Sequence, residues 1–167
     1  MKTFKICVIT VLSTFICEFA FSQNILINVL SKNSGVLKTG ETGYLEISIC
    51  NTSSLIPLMA YKIKPQVSFP VSIVAISDSG HVLPSGWSIL SSTDGIIRLS
   101  NGSDQVPPNN CRTAIIAFKG ISNGGPLTIS GNVLFSNGQF PGNVSGPATY
   151  GDNTADNTSS TTCKVAD

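Results

Sequence analysis

Charged side chains are scarce in this sequence. Asp, Glu, Lys and Arg together make up 11% of the 167 residues, and the formal net charge is +1. That share is less than half of what is usual in soluble proteins. A surface that attracts nucleic acid or an anionic membrane needs a surplus of Lys and Arg, so the composition argues against both kinds of partner. The surface must instead consist of Ser, Thr, Asn and Gly, as is common in exported β proteins.

The sequence also lacks a window with the 3.6-residue period of an amphipathic helix. Short apolar runs are instead separated by turn residues. In the stretch from Trp87 to Ile121, Asp94-Gly95 between two such runs is a strong signal for a tight hairpin, and Pro107-Pro108 ends a strand. The predicted strands are approximately residues 25–30, 43–50, 58–69, 71–76, 87–91, 95–100, 111–119, 126–135 and 159–165, with a turn region at 31–40. Eight or nine short strands without helices predict an all-β sandwich or barrel.

Catalytic machinery is also missing. The pattern Gly120-Ile121-Ser122-Asn123-Gly124 fits the elbow of serine hydrolases, but that elbow needs a following helix and a downstream histidine. The single histidine, His81, lies upstream in a polar loop, where we expect it to be solvated. We therefore interpret Gly120–Gly124 as a turn and predict a protein that is not an enzyme and needs no cofactor.

Side-chain oxygens of Asp152, Asn153, Asp156 and Asn157 are candidate calcium ligands. They lack the spacing and the acidic ligand of a dedicated calcium loop, so a solvated turn is favoured and no metal is predicted.

The asparagine sequons and the single tryptophan are expected to have no functional role. Asn51, Asn101, Asn143 and Asn157 each begin an Asn-x-Ser/Thr sequon. A chain this rich in Asn, Ser and Thr produces sequons by chance, and we expect them to stay unmodified. Trp87, the only tryptophan, is expected in the core.

The first 22 residues have the order of a secretory signal peptide: Lys2 and Lys5, an apolar run, then Ala20-Phe21-Ser22. We expect cleavage after Ser22, which leaves residues 23–167 as a single exported domain beginning at Gln23. An uncleaved membrane anchor and lipidation at Cys17 are the alternatives. Without the leader the chain has eight basic and eight acidic residues, so its net charge is about zero. Cys50, Cys111 and Cys163 remain, an odd number that leaves one thiol over or available to a partner chain.

Three motifs in this order resemble the bacterial Ig-like conserved-repeat domain, catalogued as domain of unknown function eleven. The matching stretches are Gly40–Thr52, with its alternating strand and Asn-Thr end, Leu83–Trp87, with its Leu-Pro-x-Gly turn, and Gly151–Thr158, with its Asp and Asn pattern. The resemblance covers about residues 25–166. It implies a secreted or cell-surface antiparallel β-sandwich with Greek-key connections. The family often occurs in tandem copies, whereas this chain has one copy.

An Ig-like fold implies a disulfide and a binding surface. The strand that ends at Cys50 and the strand that begins at Cys111 would be antiparallel neighbours, so these cysteines would pair and leave Cys163 unpaired in the opposite sheet. The connections 51–59, 101–110 and 136–157 would meet at the same end of the sandwich. Because loops at one end commonly bind ligands, Phe140 and Tyr150 are the candidate contact residues.

The predicted function is therefore a structural or adhesive surface module that binds protein or glycan through these loops. The alternative is a self-assembling, pilus-like subunit that donates residues 25–30 to the sheet edge of a neighbour.

Overall fold

A computed structural model describes residues 24–33, 36–136, 152 and 154–167. The signal-peptide prediction falls outside these residues. Within the described residues, ten strands form two packed sheets, which confirms the predicted Ig-like sandwich with one or two more strands than expected. The strands are β1 (Ile25–Ser31), β2 (Val36–Lys38), β3 (Thr42–Asn51), β4 (Ile63–Ser68), β5 (Val74–Ile76), β6 (Ser88–Thr93), β7 (Ile96–Ser100), β8 (Asn110–Gly120), β9 (Gly124–Phe135) and β10 (Thr158–Ala166). No helix in the described part of the chain has the length and apolar character needed to cross a bilayer.

The four-stranded sheet has the order β1-β3-β8-β5, and the six-stranded sheet has the order β2-β10-β9-β4-β7-β6. Strand β3 shows why the sheets pack. Its inward residues Leu45, Ile47 and Ile49 are at most 1% exposed, while Glu46 and Ser48 alternate on the outer face. The alternation predicted from the sequence is confirmed, and it places the core between the two sheets. Phe118 on β8 is fully buried in this core, with its ring centroid 5.4 Å from that of Phe69.

The hairpin between β6 and β7 turns at Asp94-Gly95, as predicted. Both residues have positive φ, 51° and 73°, and Thr93 pairs with Ile96 across the turn. Two successive positive φ angles define the tight turn whose twist matches that of the flanking strands. The aspartate adopts this conformation at a modest cost and the glycine adopts it freely.

Strand β4 corrects the prediction for residues 58–69. The regular strand begins only at Ile63, and Pro65 lies inside the six-stranded sheet. The Ser136 N–H donates to the Lys62 carbonyl, so even-numbered residues of β4 bond to β9 and the Pro65 nitrogen faces β7. The β7 ladder is registered only from Gln66 onward, which is how the sheet accommodates a residue without an N–H.

Strand β2 differs from the prediction, which has only a turn region at residues 31–40. Its three residues pair in parallel with the end of β10, and Leu37 is 2% exposed. Strand β1 pairs along all seven of its residues with β3 of its own chain. Its Ile25 and Val29 N–H groups, which point away from β3, donate to side chains of Asp152 and Ser159. The outer edge of β1 is therefore partly occupied by its own chain.

Candidate functional site

One end of the sandwich collects three connections. Strands β3, β7 and β9 end there, and β4, β8 and β10 begin there. We call this end the loop pole; its described parts are residues 52–62, 101–109, 152 and 154–157. Cys50 lies directly opposite Cys111, and the two form a disulfide with a Cα–Cα separation of 4.0 Å. The predicted pairing and the predicted meeting of the loops are thus observed for the described residues.

Backbone bonds join two of these loops. The Leu58 N–H donates to the Val106 carbonyl at 2.9 Å, and the Val106 N–H donates to the Leu58 carbonyl at 3.1 Å. Both side chains are fully buried and belong to the hydrophobic core, so the two loops are packed against the sandwich. Apolar burial at a loop contact makes the loop pole a packed surface with a defined shape.

Two buried asparagines complete the packing of the loop pole. Asn51, 1% exposed, donates from its side-chain amide to the carbonyls of Ile56 and Val106, at 2.8 and 3.0 Å. Its Oδ1 accepts from the Ser53 N–H at 3.1 Å. Polar groups that leave water need such partners, because a lost hydrogen bond in the interior is costly. The amide of Asn51 therefore fixes the path of the loop that follows β3.

Asn101, at the end of β7, fixes the loop that follows that strand in the same way. It is fully buried, its amide donates to the carbonyls of Met59 and Asp104 at 2.7 Å each, and its Oδ1 accepts from the Ile63 N–H at 3.1 Å. Next to it, Gly102 has a φ of 46°, and a Cβ there would overlap the carbonyl oxygen of Gly86. Since the amide nitrogens of Asn51 and Asn101 are buried and bonded, the folded chain gives a physical reason for the expectation that these two sequons stay unmodified.

Asp104, in the loop between β7 and β8, forms an ion pair with the start of β8 and a hydrogen bond with the turn before β6. Asp104 Oδ2 accepts from Trp87 Nε1 and from Arg112 Nε, each at 2.8 Å, and Asp104 Oδ1 accepts from Arg112 Nη2 at 3.2 Å. Two parallel bonds between a guanidinium and a carboxylate fix both side chains in one geometry. Trp87 is 8% exposed, which confirms its expected place in the core, and its indole N–H has a partner.

The residues before β10 attach to the start of β1. Asp152 accepts from the Ile25 N–H at 3.0 Å and from Asn157 Nδ2 at 2.5 Å, and Asp156 accepts from Asn24 Nδ2 at 3.2 Å. Burial raises the pKa of Asp152 above its ordinary 3.8, while the bonds from Asn157 and Ile25 oppose the shift. Asp152 and Asn157 are 7% and 6% exposed, so the expectation of a solvated turn was wrong for both. The described residues contain no group of three or more His, Cys, Asp or Glu placed to hold a metal ion.

The loop pole presents an unusual aromatic residue. Tyr61 is 63% exposed and has a φ of 61°, a conformation that bulky side chains rarely adopt. Its N–H donates to the Gly102 carbonyl at 2.6 Å, which helps to hold it in this conformation. Leu55 and Met59 in the same loop are also exposed, at 65% and 39%. The strand predicted for residues 58–69 includes Tyr61, so the sequence pattern gives no sign of this exposed position.

The other candidate residues have simple places. Phe140 and Tyr150 lie outside the described residues. Residues 121–123, within the Gly-x-Ser-x-Gly pattern, form the turn between β8 and β9, as predicted.

His81 is half-buried instead of solvated: its Nε2 bonds to the Ser77 carbonyl at 2.8 Å, and its Nδ1 accepts from the Ala117 N–H at 3.1 Å. Both ring nitrogens are therefore bonded to backbone, and the ring fastens the segment after β5 to β8.

Cys163 on β10 is unpaired, as predicted, and only 2% exposed. Burial raises the pKa of its thiol above 9.0, so less thiolate is present at any given pH. We expect iodoacetamide at about pH 8 to leave Cys163 unmodified in the native protein and to alkylate it rapidly in denaturant, as followed by intact mass. Native labelling as fast as that of free cysteine would contradict the buried position.

No protein-family model matches this chain, and no curated protein matches its sequence. Solved structures are similar in fold. A cohesin module of a family 33 glycoside hydrolase from Clostridium perfringens has a TM-score of 0.51 at 10% identity, over 85% of this chain and 98% of that one. The seventh ScaB type I cohesin from Pseudobacteroides cellulosolvens has a TM-score of 0.50 at 16% identity, over 84% and 92%. An uncharacterised protein from Nocardia farcinica with an immunoglobulin-like fold has a TM-score of 0.50 at 12% identity, over 82% and 98%.

Proposed function

We propose that this protein is an exported Ig-like interaction module that binds a protein partner at its loop pole. The observation that carries the proposal is Tyr61, a large aromatic side chain presented to solvent from a backbone conformation that costs energy. Unfavourable φ/ψ values persist only where the surrounding structure imposes them, and they cluster at functional sites. Here the bond to Gly102 and the neighbouring Asn101 supply that surrounding structure.

Three exposed apolar side chains give the loop pole the character of a protein-contact surface. Leu55, Met59 and Tyr61 stand within seven residues of one another on a loop whose backbone is tied down by Asn51 and Asn101. Tyrosine and methionine are enriched at protein interfaces, and a preorganised loop loses less entropy on binding. A glycan site would instead need polar groups aimed at hydroxyls, and the amides of the two asparagines are already bonded to backbone carbonyls.

Export is part of the proposal. The leader-like first 22 residues and the Cys50–Cys111 disulfide both support it, because disulfides persist mainly in oxidising compartments. Phe140 and Tyr150 remain proposed contacts of the same surface, because the residues that flank their connection meet the loop pole: Ser136 bonds to Lys62, and Asp152 bonds to Ile25.

The variant Tyr61→Gly tests the proposal by separating stability from binding. Glycine accepts a positive φ, so we expect the free energy of unfolding to rise by about 0.5–1 kcal/mol. We expect binding of the fluorescently labelled domain to intact cells of the exporting organism to fall at least tenfold, and to change little between low and high salt, since the contact is apolar. Denaturant titration and flow cytometry give the two measurements.

Matched variants make the outcome decisive. Tyr44→Ala removes an exposed tyrosine from the far end of β3 and should leave cell binding unchanged. Replacing both Phe140 and Tyr150 with Ala should weaken binding without loss of stability. Unchanged binding by Tyr61→Gly would refute the loop pole as the contact surface. Binding that survives protease treatment of the cells but is lost after glycosidase treatment would point to a glycan.

A further inference from the structure

A second surface lies at the opposite end of the sandwich, between one edge strand of each sheet. Strand β5 is the edge of the four-stranded sheet and β6 is the edge of the six-stranded sheet. An open groove of about 240 Å³ lies between β5 and the tip of the β6–β7 hairpin. We call it the edge groove. The residues that matter here are Val71, Ile76 and Ile121, Asp78 and Asp94, and Ser92.

The floor of the edge groove is apolar and open to water. Val71 is 56% exposed and Ile121 is 47% exposed, while Ile76 is partly buried and packs against the core. A ligand that covers these side chains would remove apolar surface from water, which favours binding in proportion to the area covered. Val71 packs closely on Gly95, since a Cβ at position 95 would overlap the Val71 side chain.

The rim of the edge groove is negatively charged. The carboxylates of Asp78 and Asp94 both line it, and neither has a hydrogen-bond or ion-pair partner among the described residues. No Lys, Arg or His lines the groove. Lys119 lies across the ladder from Ala75 but is not among the lining residues. Complementary charge would therefore have to come from the ligand, which selects a positively charged group.

Backbone groups at both edges are available for pairing. In the β6–β7 hairpin Thr93 and Ile96 close the two-residue turn, so the N–H and carbonyl of the preceding residue, Ser92, point away from β7. In β5 the Ser77 N–H donates to the Ala117 carbonyl, so the N–H and carbonyl of Ile76 point away from β8. Unpaired edge groups of this kind accept an added strand from another chain.

We propose that the edge groove binds an extended, positively charged segment of a partner protein. The segment pairs its backbone with the β6 edge at Ser92, lays aliphatic side chains on Val71 and Ile121, and places Lys or Arg beside Asp78 and Asp94. Strand β6 suits this role, since its six residues carry no charge and no proline, two of the features that protect an edge strand, and its irregularity between Ile89 and Ser91 comes before Ser92. The site is separate from the loop pole, so the domain would contact partners at both ends.

The test uses the folded domain and a fluorescein-labelled heptapeptide of alternating Val and Arg. Fluorescence anisotropy should show saturable binding below about 1 mM that weakens as salt is added, because the rim charges are exposed. Amide resonances of Ile76 and Ser92 should shift in ¹H–¹⁵N spectra. A peptide with Glu in place of Arg should not bind, and a peptide with N-methylated alternate amides should bind at least tenfold more weakly.

Charge-removing variants locate the site. Asp78→Asn and Asp94→Asn should each weaken binding of the Arg peptide about threefold, and the pair about tenfold, as expected for exposed ion pairs. Asparagine at position 94 keeps the turn, because it tolerates positive φ. Glu46→Gln is the matched control: it removes one negative charge from the outer face of the four-stranded sheet and should leave binding unchanged.

Three outcomes would overturn the proposal. They are the absence of saturable binding by the Arg peptide, equal binding by the Glu peptide, and an equal loss in Glu46→Gln. A dimer of this chain would also overturn it: if sedimentation shows a dimer that Asp78→Asn and Asp94→Asn dissociate, the groove binds a second copy and not a segment of another protein. The variant Tyr61→Gly should bind the peptide normally, so failure of this site and failure of the loop pole give different results.

Discussion

Replacing both Cys50 and Cys111 with alanine is expected to lower the free energy of unfolding by about 4 kcal/mol. The bridge joins residues 61 positions apart. Closing a loop of that length in the unfolded chain removes entropy worth about 3–5 kcal/mol in the loop-closure model. The free energy of unfolding of a whole domain is only about 5–15 kcal/mol, so a measurable fraction of the variant should be unfolded at 37 °C. Urea titration of the two proteins, followed by the fluorescence of Trp87, measures the difference.

Reduction of the unmodified protein supplies the control for this experiment. In excess dithiothreitol its urea midpoint should fall to that of the double variant, while the double variant should not respond to the reductant. The unfolded chain expands once the loop is open, so the slope of free energy against urea should also increase. If the double variant loses less than about 1 kcal/mol in its free energy of unfolding, the loop-closure account is wrong for this chain.

Asn101→Ala is expected to cost about 3 kcal/mol and to loosen the loop pole. The substitution leaves the buried N–H of Ile63 without its acceptor and removes the bonds that the Asn101 amide donates to the partly buried carbonyls of Met59 and Asp104. An unsatisfied buried polar group costs about 1–3 kcal/mol, and partial entry of water reduces the sum. Thermal unfolding measures the loss, and the N–H of Tyr61 should exchange faster with deuterium, since its acceptor Gly102 follows Asn101 directly.

The neighbouring variant Asn110→Ala is a suitable control. Asn110 is exposed, and its amide makes one long bond of 3.4 Å to the Pro108 carbonyl. Removal of that bond should change stability by no more than about 0.5 kcal/mol, the usual range for surface positions. Equal losses for Asn101→Ala and Asn110→Ala would show that the buried bonds of Asn101 do not stabilise the fold.

The parts of the fold that were predicted correctly depend on local patterns. Alternation along β3 is a period-two signal within ten residues, and Asp94-Gly95 satisfies the turn by its own conformational preferences. Adjacent antiparallel strands in an Ig-like fold then bring Cys50 and Cys111 together. Each of these inferences needs only neighbouring residues or the general topology.

The missed features depend on contacts between residues far apart in sequence. Strand β2 exists because Val36–Lys38 pair with the end of β10, nearly 130 positions away. Tyr61 adopts its positive φ through a bond to Gly102, which nothing in residues 58–69 indicates. The sequence shows Asn101 only as the start of a chance sequon, because the bonds that bury it join residues up to 42 positions apart. Phe140 and Tyr150 remain predictions.

The position of the disulfide has a mechanical consequence. Strand β1 begins at the loop pole and β10 ends at the opposite end, so tension applied at Asn24 and Asp167 runs along the long axis of the sandwich. The bridge keeps 61 residue positions, from Cys50 to Cys111, out of the path that carries the load. At roughly 3.3–3.6 Å for each residue, they would otherwise add about 200 Å to the extended chain. A stretched domain would therefore release only β1–β3 and β8–β10, while β4 to β7 stay inside a covalent ring and can refold from it.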